Sequence, residues 1–207
     1  MVSGLKAFRD LNLHHEDIQP SNIYVLNNKS LKLIDVTFMN DEKSGFLRRY
    51  NEMDYHTPLS PQAMSALMVG PGSASYDKEK NDIWALGITL LSAFVNEDYN
   101  NYYEWKNYKI NDTLIRSRIM KLRKDLGYSD KLVDMINRML MSDDFKRISL
   151  HELSRIVGVS RGTNYSQDVR SMNNGAIGGG DFLTNLKKVI LHISFANFIR
   201  LRKKDTI

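Results

Sequence analysis

The sequence predicts a mainly α-helical domain that contains one short β-hairpin near its start. Residues 81–96 (NDIWALGITLLSAFVN) are apolar on almost every side, which is typical of a helix buried at the centre of a domain. Strand-like runs are confined to residues 23–26 and 31–34, so helices outweigh strands. Further helices are predicted near residues 112–125, 130–141 and 149–157.

The region before the central helix divides into three parts. Residues 1–13 predict the end of an amphipathic helix, since Leu5, Phe8 and Leu11 follow helical spacing. The two strands follow, joined by a turn at Asn27-Asn28-Lys29. Residues 36–80 hold three of the four prolines and have weak periodicity, which favours a long ordered loop with short helical pieces.

Composition restricts the classes of protein to which the chain can belong. Of its 207 residues, 42% are hydrophobic and none is Cys, so disulfides and thiolate metal sites are excluded. No apolar run reaches the roughly 18 residues of a membrane span. The first residues, MVSGLKAFRDLNL, lack the layout of a secretory signal. We therefore expect an intracellular protein without a transmembrane span.

The end of the chain differs in composition from the rest. Residues 159–181 are polar and Gly-rich, which predicts a linker after a domain spanning residues 1–158. Residues 182–207 form a basic amphipathic tail, and six cations against two anions over 181–207 supply +4 of the net charge of +5. Such a tail could contact an anionic membrane or a partner's groove, or fold back as a surface helix. No nucleic acid partner is expected, because no known basic-aromatic pattern is present.

Five short motifs together carry a family resemblance. They are HEDIQPSN (15–22), LKLIDVT (31–37), PLSPQ (58–62), NDIWALGITLL (81–91) and DDFKRIS (143–149). In order and spacing they resemble the catalytic loop, the Asp-Phe-Gly strand, the Ala-Pro-Glu segment, the central helix and the Arg-bearing turn of eukaryotic protein kinases. The resemblance covers residues 1 to about 158 and implies the large, C-terminal lobe of that fold.

The resemblance implies a role for three residues in phosphoryl transfer. Asp17 matches the acid that accepts the proton of a substrate hydroxyl, while Asn22 and Asp35 match the groups that hold Mg²⁺ beside ATP. Hard oxygen ligands suit Mg²⁺, and a hairpin running from Asn22 to Asp35 would return the two side chains to one place. Taken singly, Asp17 is better interpreted as a helix cap and Asp35 as a turn residue, and it is the joint pattern that reverses this preference.

Four further residues are expected to support the architecture. The resemblance implies that His15 packs under the central helix, and that Asp82 hydrogen-bonds the backbone near His15. It also implies that Gln62, which replaces the acid of Ala-Pro-Glu, hydrogen-bonds Arg147 without the charge-assisted pair. A zinc site at His14 and His15 is disfavoured, because adjacent side chains point apart and no His recurs four residues later.

Several departures from the family pattern bear on activity. Gln19 replaces the catalytic-loop Lys, Glu16 replaces the Arg that pairs with an activating phosphate, and Val36-Thr37 replaces Phe-Gly. Neither a Gly-rich strand nor a Lys-bearing strand occurs before the catalytic loop, and the GAIGGG run at 175–180 follows the large lobe. We therefore expect the small lobe to be absent from this chain, leaving nothing to clamp the nucleotide phosphates.

Two functions agree with these observations. One is a pseudokinase-like interaction or regulatory module with impaired or absent phosphotransfer. The other is the C-terminal part of an active, ATP-dependent protein kinase, of Ser/Thr more than Tyr type, whose small lobe lies upstream. In both cases the expected partner is a protein or the missing lobe, and Mg²⁺ with ATP is required only by the active form.

Overall fold

A computed structural model describes residues 1–25, 31–33, 45–70 and 75–158. Within these ranges the fold is mainly α-helical, with two small antiparallel sheets, which confirms the predicted fold class. The helices are α1 (Val2–Asp10), α2 (Gly45–Asn51), α3 (Pro61–Val69), α4 (Lys78–Val95), α5 (Asp112–Lys124), α6 (Asp130–Met139) and α7 (Leu150–Ile156). The strands are β1 (Ile23–Val25), β2 (Leu31–Leu33), β3 (Tyr103–Glu104) and β4 (Lys109–Ile110).

The central helix α4 begins earlier than its apolar pattern predicts. The Asp77 side chain accepts the N–H of Lys80 and so caps the first turn. That turn is polar, which is why hydrophobic spacing alone places the start too late. At the other end Asn96 adopts a left-handed backbone (φ 56°), and its N–H donates to the Ser92 carbonyl.

Helix α4 divides the core into two halves, because its side chains are buried on opposite sides. Trp84, Ile88 and Leu91 pack into one cluster with residues of α3, α5 and α6. Ile83, Leu86 and Leu90 pack into a second cluster with residues of α1, α7 and the first hairpin. Because α4 is apolar on all sides, it is buried by other elements on all sides.

The first hairpin forms as predicted and follows directly from the loop of interest. Strand β1 pairs antiparallel with β2, with Ile23 opposite Leu33 and Tyr24 opposite Lys32. The predicted turn at 27–29 lies outside the described residues. Helix α1 stops at Asp10, short of the predicted 13, because Asn12 takes a left-handed backbone (φ 57°) and turns the chain.

The remaining elements extend the prediction in two places. Helices α2 and α3 are the helical pieces expected between residues 36 and 80, and a second hairpin, β3–β4, was not predicted. The predicted linker at 159–181 and the basic tail at 182–207 lie outside the described residues, as do Val36 and Thr37. Every helix among residues 1–25, 45–70 and 75–158 is too short or too polar to cross a bilayer.

Candidate functional site

The loop between α1 and β1 is fixed to the central helix by one buried acid. The two carboxylate oxygens of Asp82, in the first turns of α4, accept the N–H groups of His15 and Glu16, each at 2.8 Å. Burial raises the Asp82 pKa to about 7, and the nearby Glu16 charge adds to the rise, while the two backbone hydrogen bonds oppose it. The predicted contact between Asp82 and the backbone near His15 is therefore present.

His15 and Ile18 hold the loop against the core from the other side. The His15 ring meets the Phe8 ring edge-on, with centroids 5.7 Å apart, and its Nδ1 accepts the Asp17 N–H at 3.3 Å. Ile18 is completely buried among the residues packed against α4. With these two side chains turned inward, the intervening Asp17 is presented at a fixed place.

The carboxylate of Asp17 lies at the centre of a dense hydrogen-bond network and is 0% exposed. Its Oδ1 accepts the Gln19 amide at 3.0 Å. Its Oδ2 accepts the Asn22 amide at 2.8 Å and the Tyr55 hydroxyl at 2.6 Å. The last distance is typical of a charge-assisted O–H to carboxylate bond. Donors from this chain therefore already engage both oxygens of the predicted catalytic acid.

Of the two predicted magnesium ligands, the structure brings one to Asp17. Asn22 follows Pro20 in a single turn of 3-10 helix that leads into β1, and its Nδ2 donates to both the Asp17 carbonyl and carboxylate, each at 2.8 Å. A bond to Mg²⁺ would have to use its Oδ1, because Nδ2 is the donor to Asp17. Asp35 lies outside the described residues.

Tyr55 and Arg48 also belong to the site, although no sequence pattern predicted either of them as a site residue. The Arg48 guanidinium donates to the Tyr55 hydroxyl at 3.0 Å, lies 3.7 Å above the Tyr55 ring centroid, and approaches Asp17 Oδ2 to 3.9 Å. Burial and the hydrogen bond to Asp17 raise the pKa of the Tyr55 hydroxyl above its ordinary value. Arg48 lies 31 residues after Asp17 and Tyr55 lies 38 residues after it. At such separations, local sequence patterns cannot indicate that the side chains meet.

Glu16, at the position where the family has Arg, contacts two side chains of the same chain. It is buried, its Oε1 accepts the Tyr76 hydroxyl at 2.8 Å, and its Oε2 lies 3.1 Å from Lys78 Nζ. Its backbone is left-handed (φ 56°), and its carbonyl accepts the Gly45 N–H at 3.1 Å. The position that carries a cation in the resemblance thus holds an anion with its own internal partners.

The predicted hydrogen bond between Gln62 and Arg147 is present. Arg147 Nη2 donates to Gln62 Oε1 at 2.9 Å, while Gln62 Nε2 donates to the Ser142 carbonyl at 2.8 Å. Arg147 is 2% exposed and also donates to the Met141 and Lys80 carbonyls. Burial lowers its pKa to about 10. The neutral amide therefore uses both of its ends, which a carboxylate at position 62 could not do.

The described residues offer no complete metal site on their own. Among them, no three His, Cys, Asp or Glu side chains lie close enough together to hold an ion. The donor chemistry still suits Mg²⁺, since the Asn22 amide oxygen is a hard ligand beside a carboxylate. What the arrangement can do is hold one hydroxyl group against a buried carboxylate, which is the geometry that hydroxyl-directed phosphoryl transfer requires.

A helical lobe that presents an acid and an amide from the loop before a β-hairpin agrees with the family resemblance found in the sequence. The comparison with known families agrees: the family model described as protein kinase domain matches residues 1–156. The chain belongs to the protein kinase domain family.

Three of the curated relatives carry names of serine/threonine or dual-specificity protein kinases. Serine/threonine-protein kinase PSK2 of Saccharomyces cerevisiae is 29% identical over 74% of the chain, and the kinase Nek2 of Mus musculus is 31% identical over 67%. The dual specificity mitogen-activated protein kinase kinase sek-1 of Caenorhabditis elegans is 25% identical over 81%. The matched regions cover 12%, 29% and 48% of PSK2, Nek2 and sek-1, so the chain spans less than half of each relative's length.

Proposed function

We propose that this protein kinase domain has impaired or absent phosphotransfer and acts as an interaction or regulatory module. The observation that carries the proposal is the state of Asp17: its carboxylate is 0% exposed, and both oxygens accept hydrogen bonds from within the chain. A catalytic acid in this role must instead accept the proton of an incoming substrate hydroxyl.

The contact with Tyr55 competes directly with that task. A general base acts on a hydroxyl at hydrogen-bond distance, roughly 2.6–3.2 Å between heavy atoms. The Tyr55 oxygen already lies 2.6 Å from Asp17 Oδ2, while the Gln19 amide occupies Oδ1. A substrate hydroxyl can approach Asp17 only after at least one of these groups has moved.

The electrostatics of the site point the same way. Gln19 replaces the Lys that contacts the transferring phosphoryl group in Ser/Thr kinases, and loss of such a contact costs on the order of 2–4 kcal/mol of transition-state stabilisation. Arg48 is the cation paired with Asp17 among the described residues, at 3.9 Å, and its guanidinium is stacked on Tyr55. Because the guanidinium contacts the Tyr55 side chain, Arg48 is a poor substitute for the Lys that Gln19 replaces.

The proposal is compatible with weak binding of Mg²⁺ and ATP. We assign Asn22, through its Oδ1, and Asp35 as the residues that would hold the ion. Bound with ATP, Mg²⁺ would neutralise charge on the phosphates. The chain's own contribution is to orient Asn22, whose amide nitrogen is fixed on Asp17.

A second function is favoured by one specific contact. The hydrogen bonds from Asn22 to Asp17 hold the acid and the amide ligand together, as an active site requires. In this alternative the chain supplies the large lobe of an active Ser/Thr-type kinase, a small lobe completes the nucleotide site, and Tyr55 moves away during turnover. Protein partners, or contact of residues 182–207 with an anionic membrane or a partner's groove, are proposals in both cases.

Phosphoryl transfer from Mg-ATP to a mixture of protein and peptide substrates, measured with the chain joined to a kinase small lobe, separates the two functions. We expect the wild-type chain to transfer no more phosphate than its Asp17→Asn variant, and its thermal unfolding to shift little with Mg-ATP. Transfer by the wild type that disappears in Asp17→Asn would overturn the proposal and establish the alternative.

A further inference from the structure

We propose that Arg49 is the anchor of an oxyanion-binding site, which takes a carboxylate or phosphate group presented by a peptide. The two groups share the chemistry that the site recognises, a pair of negatively charged oxygens that lie side by side. The inference goes beyond the proposed function and is independent of it, because Arg49 is not among the groups that bind Asp17.

Arg49 occupies an inward-facing position of α2. The buried residues of this helix are Gly45, Phe46 and Arg49, at the spacing of one helix face. Arg49 is 5% exposed, the same fraction as its apolar neighbour Phe46. Arginine is almost never buried to this degree unless a partner compensates its charge. The position therefore carries a cation where the packing of the helix favours an apolar side chain.

The guanidinium of Arg49 has no such partner in the part of the chain that the structure describes. None of the ion pairs between described residues includes it. Its Nη1 donates to the Met53 carbonyl, whereas its Nε is buried without any hydrogen-bond partner. Four of the five N–H donors of this arginine therefore make no hydrogen bond to the described residues.

Arg147 shows how the same fold satisfies a buried arginine without an anion. It is 2% exposed, and its Nε, Nη1 and Nη2 donate to the Met141 carbonyl, the Lys80 carbonyl and Gln62 Oε1. All three nitrogens are bound, so the cost of burial is offset by acceptors of the chain. Arg49 has one bound nitrogen of three, and a ligand would have to supply the acceptors that are missing.

The unbound edge of the Arg49 guanidinium is one that binds oxyanions. Nε and Nη2 lie on the same edge of the planar group, and their N–H bonds form a fork that matches two oxygens of a carboxylate or phosphate. The contact with Met53 uses Nη1 and leaves this edge unoccupied. Residues 50–54 are exposed, so a ligand reaches the edge from solvent by displacing part of this stretch.

Trp105 and His56 lie next to Arg49 and give the site a second observable. The Arg49 guanidinium lies 5.4 Å from the Trp105 ring centroid, and the His56 ring stacks on Trp105 with centroids 4.5 Å apart. Burial lowers the pKa of His56 and the charge of Arg49 lowers it further, whereas Asp54 and Asp98 oppose the shift. A bound oxyanion would offset the charge of Arg49, so the His56 pKa should rise on binding.

NMR of the full chain labelled with ¹⁵N at arginine tests the proposal. The Nε–H signals of Arg49 and Arg118 are assigned with Arg49→Lys and Arg118→Lys. Three probes are added in turn: acetyl-Asp-amide, acetyl-phosphoserine-amide and the neutral acetyl-Asn-amide. We expect the Arg49 signal to shift saturably with an anionic probe and to stay in place with the neutral one. Arg118, already paired with Glu97 at 2.7 Å, should shift far less.

The variant arm uses Arg49→Lys, which keeps the positive charge and removes the fork. Followed through the His56 ring signals, binding of the anionic probe should weaken by about tenfold or more, the equivalent of one hydrogen bond to a charged group. Arg118→Lys is the matched control and should bind as the wild type does. Because the first arm uses the wild type, it remains decisive even where Arg49→Lys fails to fold.

Three results would overturn the proposal. They are an Arg49 signal that neither anionic probe moves, an equal shift with the neutral probe, and undiminished binding by a folded Arg49→Lys protein. Where the proposal holds, the probe that binds more tightly identifies the source of the oxyanion as an acidic or a phosphorylated side chain.

Discussion

The scaffold around α4 and the site around Asp17 use buried polar groups in opposite ways. In the scaffold, Asp82 and Arg147 bind mainly backbone groups and tie separate elements together. In the site, Asp17 is bound by three side chains of the same chain. The contacts of Asp82 with the loop backbone and of Arg147 with Gln62 are those that the family resemblance implies, whereas the site contacts include Tyr55 and Gln19. On the proposed function, this difference changes what the lobe can do more than how it is held.

The largest effect should come from Asp82→Ala. The change leaves the buried N–H groups of His15 and Glu16 without acceptors, at about 1–3 kcal/mol for each group. Urea unfolding should show a loss of about 2–6 kcal/mol. Asp134→Ala on the exposed side of α6 is the control and should change stability little. A loss for Asp82→Ala no greater than for the control would remove the distinction between scaffold and surface.

Substitution of Gly45 beside Asp17 and of Gly87 in α4 compares the steric tolerance of the site with that of the scaffold. A Cβ at Gly45 would lie 2.5 Å from the Glu16 carbonyl oxygen and 2.8 Å from Asp17 Oδ1. A Cβ at Gly87 would meet the flexible Leu140 side chain at 2.9 Å. Overpacking of this kind costs typically about 1–3 kcal/mol. We expect Gly45→Ala to lose more stability than Gly87→Ala, because backbone and a buried carboxylate must move in the first case.

Comparison of Tm values for the two glycine variants and the wild type checks this order. Gly45→Ala should also expose Asp17 to carboxyl labelling by a water-soluble carbodiimide and glycine ethyl ester, while Gly87→Ala should leave it protected. Equal labelling of Asp17 in both variants would contradict the separation of site and scaffold.

The pH dependence of stability should carry a signature of Asp82. Its pKa is raised to about 7 in the folded state by burial, with Glu16 and Lys78 as the charged neighbours. A raised pKa means that the folded state binds the proton more tightly, so this stabilisation is complete below about pH 4 and is lost as pH rises toward 7. Relative to Asp82→Asn, the wild type should lose up to about 1.4 kcal/mol per pH unit in this window.

Urea unfolding of both proteins at several pH values between 4 and 8 measures that difference. The same slope for wild type and Asp82→Asn would show that Asp82 does not titrate in this range.

The smallest effect is expected for Gln62→Glu. The variant creates a charge-assisted pair with Arg147, but it loses the donor that now binds the Ser142 carbonyl and places an anion beside that oxygen. We expect these terms to offset to within about 1 kcal/mol. Gln62→Ala, which removes both hydrogen bonds, is the comparison and should cost more. A gain of several kcal/mol in Gln62→Glu would show that the neutral amide is a defect.

Most of the scaffold could be predicted from the sequence, because its signals are local. The apolar run of α4 and the helical spacing of apolar residues in α5 to α7 predict which of their residues are buried. Tyr55 and Arg48 could not be predicted as site residues, since their places depend on how residues 45–57 cross the catalytic loop. That crossing depends on contacts such as the hydrogen bond from the Gly45 N–H to the Glu16 carbonyl. Sequence periodicity does not predict contacts of this kind.

Titration of the Tyr55 hydroxyl tests the occupied state of Asp17 most directly. In protein labelled with ¹³C at tyrosine Cζ, the Tyr55 signal, assigned with Tyr55→Phe, should stay in its protonated position beyond the pH of an unperturbed phenol, about 10. Asp17→Asn should lower the Tyr55 pKa, because the carboxylate that accepts its proton is gone. Titration of Tyr55 at the ordinary phenol pKa, unchanged in Asp17→Asn, would show that Asp17 is not occupied and would contradict the account.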